Sequence, residues 1–108
     1  MTLDEYQRAA ARTMNAGLSG QERLVDAAAG LAEEAGELLG LIRKHAYMGH
    51  PLDQEAISKE LGDALWCLAA VATSLGEALD DVAARNLEKL RRRYPAGYSD
   101  QASRARVD

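Results

Sequence analysis

Hydrophobic residues recur along the chain three or four positions apart, which is the spacing of amphipathic helices, and turn residues divide them into segments. The first predicted helix runs from Leu3 to about Ala16. Ser19 is followed three residues later by Glu22, an arrangement typical of a helix N-terminus, so we expect the second helix to begin there. It continues to about Lys44, where a loop containing glycine and proline follows.

The second half of the chain continues the helical pattern. Asp53 is a predicted N-cap for the third helix, and Gly76 is placed to end it. The fourth helix covers roughly residues 79–93. No segment alternates as a β-strand does, so the sequence predicts an all-α, four-helix, bundle-type domain over residues 1–98. We expect the polar tail, residues 99–108, to be flexible.

The two long helices each carry an apolar stripe with alternating steps of four and three. The stripe of the second helix consists of Leu24, Ala28, Leu31, Ala35, Leu38 and Ile42. The stripe of the third consists of Ile57, Leu61, Ala64, Leu68, Val71 and Leu75. We expect both stripes to be core, with the two helices packed antiparallel.

The composition indicates a thin hydrophobic core. Alanine occupies 21 of the 108 positions and phenylalanine is absent, so each buried side chain contributes little transfer free energy. A domain of this length also buries a modest fraction of its surface when it stands alone. We therefore expect a homo-oligomer, either a dimer or a tetramer, that completes the bundle.

Net charge, the length of the apolar runs and cysteine content oppose nucleic-acid binding, a membrane span and a disulfide-stabilised fold. The net charge of -4, with acidic residues concentrated mid-chain, opposes attraction to a nucleic-acid backbone. The longest apolar run, residues 64–72, is much shorter than the roughly 20 residues of a membrane span, and the N-terminus does not resemble a secretory signal. Cys67 is the only cysteine, which excludes a disulfide framework. We expect a cytoplasmic protein that binds neither nucleic acid nor membrane.

A short acidic motif occurs twice, as Glu34-Ala-Gly-Glu37 in the second helix and as Glu60-Leu-Gly-Asp63 in the third. Residues three apart project from one face of a helix, and both pairs lie in otherwise apolar rows. Ionised carboxylates on a packed face need a compensating partner. Oxygen ligands without histidine or cysteine suit Mg²⁺, for which Mn²⁺ could substitute. The sequence thus predicts a site for a hard divalent cation.

Each acidic motif contains a glycine, Gly36 or Gly62, in the middle of a helix. Such a glycine costs about 1 kcal/mol relative to alanine. Our hypothesis is that the two glycines allow the helices to approach closely, so that carboxylates from both reach one ion.

These residues resemble the MazG-type nucleoside triphosphate pyrophosphohydrolases of the all-alpha NTP pyrophosphatase superfamily. Their signature is EExxE followed, after a variable gap, by ExxD. The matching residues are Glu33, Glu34, Glu37, Glu60 and Asp63. The run NLEKLRRRYP, residues 86–95, resembles the closing motif of the family. The likeness covers nearly the whole chain.

The resemblance implies a reaction and a role for each matching residue. Nucleoside triphosphates would be hydrolysed between the α and β phosphates to a monophosphate and pyrophosphate, in house-cleaning of the nucleotide pool. Glu33 would position or deprotonate the attacking water. The implied Mg²⁺ ligands are Glu34, Glu37, Glu60 and Asp63. The implied triphosphate-binding residues are Asn86, Lys89, Arg93 and Tyr94.

Two other interpretations fit the helical pattern. The chain could be a noncatalytic interaction module whose acids hold a structural cation. It could also be a diiron bundle, but such sites use Glu-x-x-His, and neither His45 nor His50 follows a glutamate at that spacing. The sequence leaves open the roles of these histidines and of Trp66, the nucleobase and sugar preference, and the number of metal ions.

Overall fold

The computed structural model describes residues 1–106, and these residues form five helices and no strand. The helices are α1 (Leu3–Ala11), α2 (Gly20–Tyr47), α3 (Gln54–Ser74), α4 (Leu79–Arg93) and α5 (Asp100–Ala105). The prediction of an all-α fold is confirmed. Helix α5 lies within the predicted tail and was not predicted; the last two residues of that tail lie outside the described residues.

Local capping interactions determine where α2 and α3 begin, as the sequence predicts. The Ser19 backbone N–H donates to Glu22 Oε1 at 2.8 Å, and the Glu22 N–H donates to Ser19 Oγ at 3.1 Å. At the start of α3, Asp53 Oδ1 accepts from the Ala56 N–H at 3.0 Å. Each contact satisfies a donor that a helix N-terminus leaves without an intrahelical partner.

Helix α1 ends at Ala11, five residues earlier than predicted. The backbone N–H groups of Thr13 and Met14 bond to carbonyls three residues back, which is the geometry of a tightened turn. The Asn15 side chain then accepts a hydrogen bond from the Gly17 N–H. These local bonds replace the helical ladder, because Asn and Gly favour turns over helix.

Side chains of α1 cap the N-terminus of α4, whose own N-cap residue, Ala78, provides no side-chain acceptor. Gln7 Oε1 accepts from the Leu79 N–H at 2.7 Å, and Asp4 Oδ1 accepts from the Asp80 N–H at 3.1 Å. The Gln7 amide also donates to Thr73 Oγ1 at 3.1 Å and to the Glu77 carbonyl at 2.8 Å. Gln7 is therefore the buried polar link between α1 and the α3–α4 connection.

Helices α2 and α3 form the main packed pair, and they run antiparallel as predicted. Gly30 faces Cys67, and two turns farther along α2, Glu37 faces Glu60. Helix α1 packs against α3 and α4, and α5 packs against α4. The buried cluster of Ala69, Ala72 and Leu79, with Tyr6 against it, lies where α1, α3 and α4 meet.

The predicted core stripe of α3 is wrong at its three leucines, whereas Ile57, Ala64 and Val71 are half-buried. Leu61, Leu68 and Leu75 are 54%, 46% and 57% exposed. The buried residues of α3 are Cys67, Ala69, Ala70 and Ala72. Cys67 of α3 lies against α2, where small side chains let the two helices approach closely, and Ala69 and Ala72 pack toward α1 and α4. The large leucines remain exposed.

A single chain leaves more of its surface exposed than a compact domain of this length does. The radius of gyration is 16.9 Å, whereas a compact domain of this length has about 13 Å. The accessible surface is 7739 Å², compared with roughly 5,900 Å² for a compact monomer of this mass. The excess of roughly 1,900 Å² is surface that a compact fold would bury.

Within residues 1–106, no helix combines the length and the apolar character needed to cross a membrane.

Candidate active site

The acidic motifs of α2 and α3 meet across the helix pair. One carboxylate oxygen from each of Glu34, Glu37 and Glu60 lies within 4.8 Å of the other two. Glu34 and Glu37 are one turn apart on α2, and Glu60 reaches them from α3. The antiparallel register brings the two motifs together, because the register that aligns Gly30 with Cys67 also aligns Glu37 with Glu60.

Two buried oxygens of the cluster have no hydrogen-bonding partner among the described residues. Glu34 Oε2 and Glu60 Oε2 are buried, and no N–H or O–H group of the described chain donates to them. A side-chain hydrogen bond with Glu34 raises the pKa of Glu60, and burial raises it further. The pKa of Glu37 is raised by a hydrogen bond between Glu37 and Glu60 and by the charge of Glu60. Three clustered carboxylates, two of which have an unpartnered buried oxygen, fit a hard divalent cation.

Asp63, the fourth predicted ligand, lies outside the three-carboxylate cluster. It lines an adjoining cavity of about 340 Å³ together with Glu34. The pKa of Tyr6 is raised by burial and by the nearby charge of Asp63, which places Asp63 on the side of the site toward α1. The structure brings together three of the four predicted ligands and holds Asp63 beside them; its role as a ligand stays a prediction.

Glu33, the predicted water-activating residue, precedes Glu34 on α2 and its side chain is exposed. Successive residues lie about 100° apart around a helix, so Glu33 projects beside the cluster rather than into the α3 contact. Its charge contributes to the raised pKa of Glu37, which places it close to the acids. Its catalytic role stays a prediction.

The residues predicted to hold the triphosphate lie on α4 and just after it, and α4 packs against α1 and α5. They do not line the cavity beside Glu34. Asn86 is exposed, while Lys89, Arg93 and Tyr94 are half-buried. The Tyr94 ring packs against Tyr98, with ring centroids 5.6 Å apart. The structure does not bring these residues to the acids within the chain, and their substrate contacts stay predictions.

The hypothesis about the motif glycines is wrong within the chain. A Cβ placed on Gly36 or Gly62 would have no non-neighbouring atom within 4 Å, so neither glycine permits a close helix approach. The close approach occurs instead at Gly30, where a Cβ would lie 3.0 Å from Cys67 Sγ. Gly30 is one turn before Glu34, and its lack of a side chain lets α3 come near the acidic cluster.

The cavity beside the cluster includes two residues that the sequence did not single out, Asp26 and Gly30. Both precede Glu34 on α2 at steps of four, a spacing that keeps all three on nearly one face. That spacing is the signal by which they could have been found. Asp63, Trp66 and Cys67 of α3 form the opposite side.

The residues whose roles the sequence left open have clear local contacts. Trp66 is half-buried beside the cavity, and its Nε1–H donates to Thr13 Oγ1 at 2.7 Å. His45 Nδ1 lies 2.9 Å from the His50 carbonyl oxygen, a contact that closes the exposed loop between α2 and α3. The tryptophan is therefore near the acids, while the histidine pair belongs to the loop.

Comparison with protein families gives one match, to the family described as the MazG nucleotide pyrophosphohydrolase domain, over residues 24–98. Neither the curated proteins nor the solved structures give a match. The matched range covers α2 from Leu24 onward, the whole of α3 and α4, and all the clustered acids. It covers more than half of the chain and confirms the resemblance that the acidic motifs indicated. The chain belongs to the MazG nucleotide pyrophosphohydrolase family.

Proposed function

We propose that this protein hydrolyses nucleoside triphosphates, in the ribose or deoxyribose form, between the α and β phosphates, releasing a nucleoside monophosphate and pyrophosphate. The observation that carries the proposal is the cluster of Glu34, Glu37 and Glu60 within 4.8 Å, in a chain of a pyrophosphohydrolase family. The proposed role is house-cleaning of the nucleotide pool. A cytoplasmic location is part of the proposal, and a lone buried thiol suits a reducing compartment.

The acids of α2 and α3 would hold Mg²⁺, or Mn²⁺ in its place. The unpartnered oxygens of Glu34 and Glu60 support this assignment, since buried carboxylate oxygens need a compensating charge. Asp63, which lines the cavity with Glu34, is proposed as the fourth ligand. A bound divalent cation supplies Lewis-acid stabilisation of the charge on the transferring phosphate.

Glu33 is proposed as the general base. It neighbours the clustered carboxylates without being one of them, so its own carboxylate can accept a proton from the attacking water. The proposed contacts of Lys89 and Arg93 with the triphosphate rest on their spacing of four residues, which places both on one face of α4. Asn86 and Tyr94 would add hydrogen bonds to the same phosphates.

A homo-oligomer is also proposed, as a dimer or a tetramer. The half-exposed row of Leu61, Leu68 and Leu75 on α3 supports it, as does exposed Leu39 on α2. The excess accessible surface, roughly 1,900 Å² for each chain, is of the size that obligate interfaces bury. Association would bury this surface and complete a bundle that the single chain leaves open.

The test is incubation with a panel of nucleoside and deoxynucleoside triphosphates and Mg²⁺, with monophosphate and pyrophosphate measured separately. Glu33→Gln is expected to reduce kcat by about 100-fold or more, the scale of a lost acid–base group. Glu60→Gln removes a proposed Mg²⁺ ligand, so its activity at a fixed Mg²⁺ concentration should also fall. Glu55→Gln is the matched control, because this α3 acid is 84% exposed and outside the cluster. Release of orthophosphate instead of pyrophosphate would overturn the proposed reaction, and full activity of Glu33→Gln would reject the base role. No product together with Mg²⁺-dependent stabilisation would favour a noncatalytic module.

A further inference from the structure

The cavity beside the acids is continuous with the proposed metal site. Glu34 belongs both to the three-carboxylate cluster and to the cavity lining. A nucleotide whose phosphates lie at the acids would therefore place its nucleoside in or next to this cavity. Its volume of about 340 Å³ is at the lower end for small-molecule sites and suits part of a nucleotide rather than the whole.

The α2 side of the cavity has the length that a nucleoside requires. Asp26 precedes Glu34 by two helical turns, which separates the two residues by about 12 Å along the axis. That distance is comparable with the span of a nucleoside from the 5′ phosphate to the far edge of its base. Gly30 lies between them, against Cys67, and projects no side chain into the cavity.

The α3 side of the cavity offers an aromatic surface in a defined position. The indole N–H of Trp66 donates to Thr13 Oγ1 at 2.7 Å, which ties the ring to the segment after α1. A ring held in this way can contact a flat base without a further loss of side-chain freedom. The indole N–H is already used, so Trp66 has no donor left for a ligand.

The side chains that line the cavity are hydrogen-bond acceptors rather than donors. Asp26, Glu34 and Asp63 are carboxylates, and the Cys67 thiol is a weak donor. The Asp26 side chain is exposed and makes no hydrogen bond or salt bridge with another described residue. Its carboxylate is therefore available to a ligand that brings its own N–H group.

We propose that Asp26 determines base specificity by accepting a hydrogen bond from an exocyclic amino group, so that the site prefers cytosine to uracil. The inference rests on the proposed function, because it places the phosphates at the acidic cluster. Cytosine and uracil have nearly the same shape but differ at positions 3 and 4: cytosine has a ring acceptor beside an amino donor, and uracil has an N–H donor beside a carbonyl acceptor. We place the Asp26 carboxylate opposite position 4. A carbonyl facing the Asp26 carboxylate would leave two acceptors opposed and unpaired, which is unfavourable.

The experiment measures binding and hydrolysis separately. Equilibrium binding with Mg²⁺ uses the non-hydrolysable α,β-methylene analogues of dCTP and dUTP, and kcat/KM is measured for the natural nucleotides. We expect wild type to prefer the cytosine nucleotide by about tenfold or more, the scale of a hydrogen bond to a charged group. Asp26→Asn offers both a donor and an acceptor, so the preference should fall to about twofold or less. Glu55→Gln is the control that should keep it.

The outcomes separate this inference from the proposed function. Cytosine-selective binding that Asp26→Asn abolishes, without hydrolysis, would support the base site and overturn the reaction. Hydrolysis without a cytosine preference, or with a preference that Asp26→Asn leaves unchanged, would overturn the role of Asp26 and leave the reaction standing. Absence of binding of either analogue would overturn the inference directly.

Discussion

The acidic cluster links the folding stability of this protein both to pH and to Mg²⁺. The pKa values of Glu37 and Glu60 are raised above their usual value of 4.5 in the folded chain. The folded state therefore binds more protons here than the unfolded state does, and stability from these groups falls as pH rises. This contribution is fully present below pH 4.5 and is lost as pH rises through the raised pKa values. At neutral pH the apoprotein carries an uncompensated repulsion that a cation would relieve.

Ligand linkage gives the size of the Mg²⁺ effect. At 100 times its Kd, a ligand that binds only the folded state raises the free energy of unfolding by about 2.7 kcal/mol. For a domain near this length, each 1 kcal/mol moves Tm by about 4–8 °C, so the expected shift is about 10–20 °C. Glu60→Gln removes one of three clustered ligands. If the affinity falls tenfold, the stabilisation at the same Mg²⁺ concentration is halved, to about 1.4 kcal/mol.

The assay is thermal unfolding at about pH 5 and about pH 7.5, with and without Mg²⁺, at one protein concentration. Without Mg²⁺, the Tm of Glu60→Gln should rise relative to wild type as pH increases, because the variant has lost one of the repelling charges. With Mg²⁺, the shift should be smaller in the variant. Glu55→Gln loses only an exposed 3.7 Å ion pair with Lys59 and should keep the full shift.

Two results would refute this reasoning. An equal Mg²⁺ shift in wild type and Glu60→Gln would mean that the cation binds elsewhere. A Tm difference between the two apoproteins that does not change from pH 5 to pH 7.5 would show that the cluster does not store charge repulsion. Either result would remove the physical basis of the proposed metal site.

Two further predictions concern the scaffold. Gln7→Ala should lower the free energy of unfolding in denaturant titrations by about 3 kcal/mol, because three hydrogen bonds of about 1 kcal/mol each are lost. The control, Gln21→Ala at an exposed position, should change this free energy by less than about 0.5 kcal/mol. Equal effects of the two substitutions would contradict the linking role of Gln7. Gly36→Ala and Gly62→Ala should each raise it by about 1 kcal/mol, since the added methyl meets open space. In Gly30→Ala the added methyl would lie 3.0 Å from Cys67 Sγ, so this variant should gain less stability or lose it. If Gly36→Ala and Gly62→Ala are destabilising instead, a neighbouring chain occupies the space beside these two glycines.

Local signals in the sequence were sufficient for most helix boundaries. The capping box at Ser19 and the cap at Asp53 operate within four residues, so α2 and α3 begin where predicted. Helix α4 also covers the predicted residues 79–93. Pro95 and Gly97 end it locally, whereas Gln7 and Asp4 of α1 cap its N-terminus. Helix α1 was predicted too long. The apolar spacing continues through Thr13 and Met14, whose backbone hydrogen bonds close a turn rather than extend the helix.

The acidic motifs were recognisable from sequence because they repeat at helical spacing and match a family signature. The meeting of Glu37 with Glu60 also depends on the register of α2 against α3, and that register is a tertiary property. The packing of the helices also decides that Asp63 lies outside the three-carboxylate cluster and that α4 lies apart from the acids. Spacing along one helix determines which side chains share a face, but not what lies opposite.

The sequence by itself determined the helical class, most helix boundaries and the acidic residues, because each of these depends on contacts within a few residues of the chain. Only the tertiary structure decided which face of α3 is buried, since α3 carries a row of large leucines and a row of small residues. The small row, with Cys67 against Gly30, permits the closer approach and so draws the acids inward. The cavity beside Asp26 and Trp66 exists only because the two helices pack in that orientation.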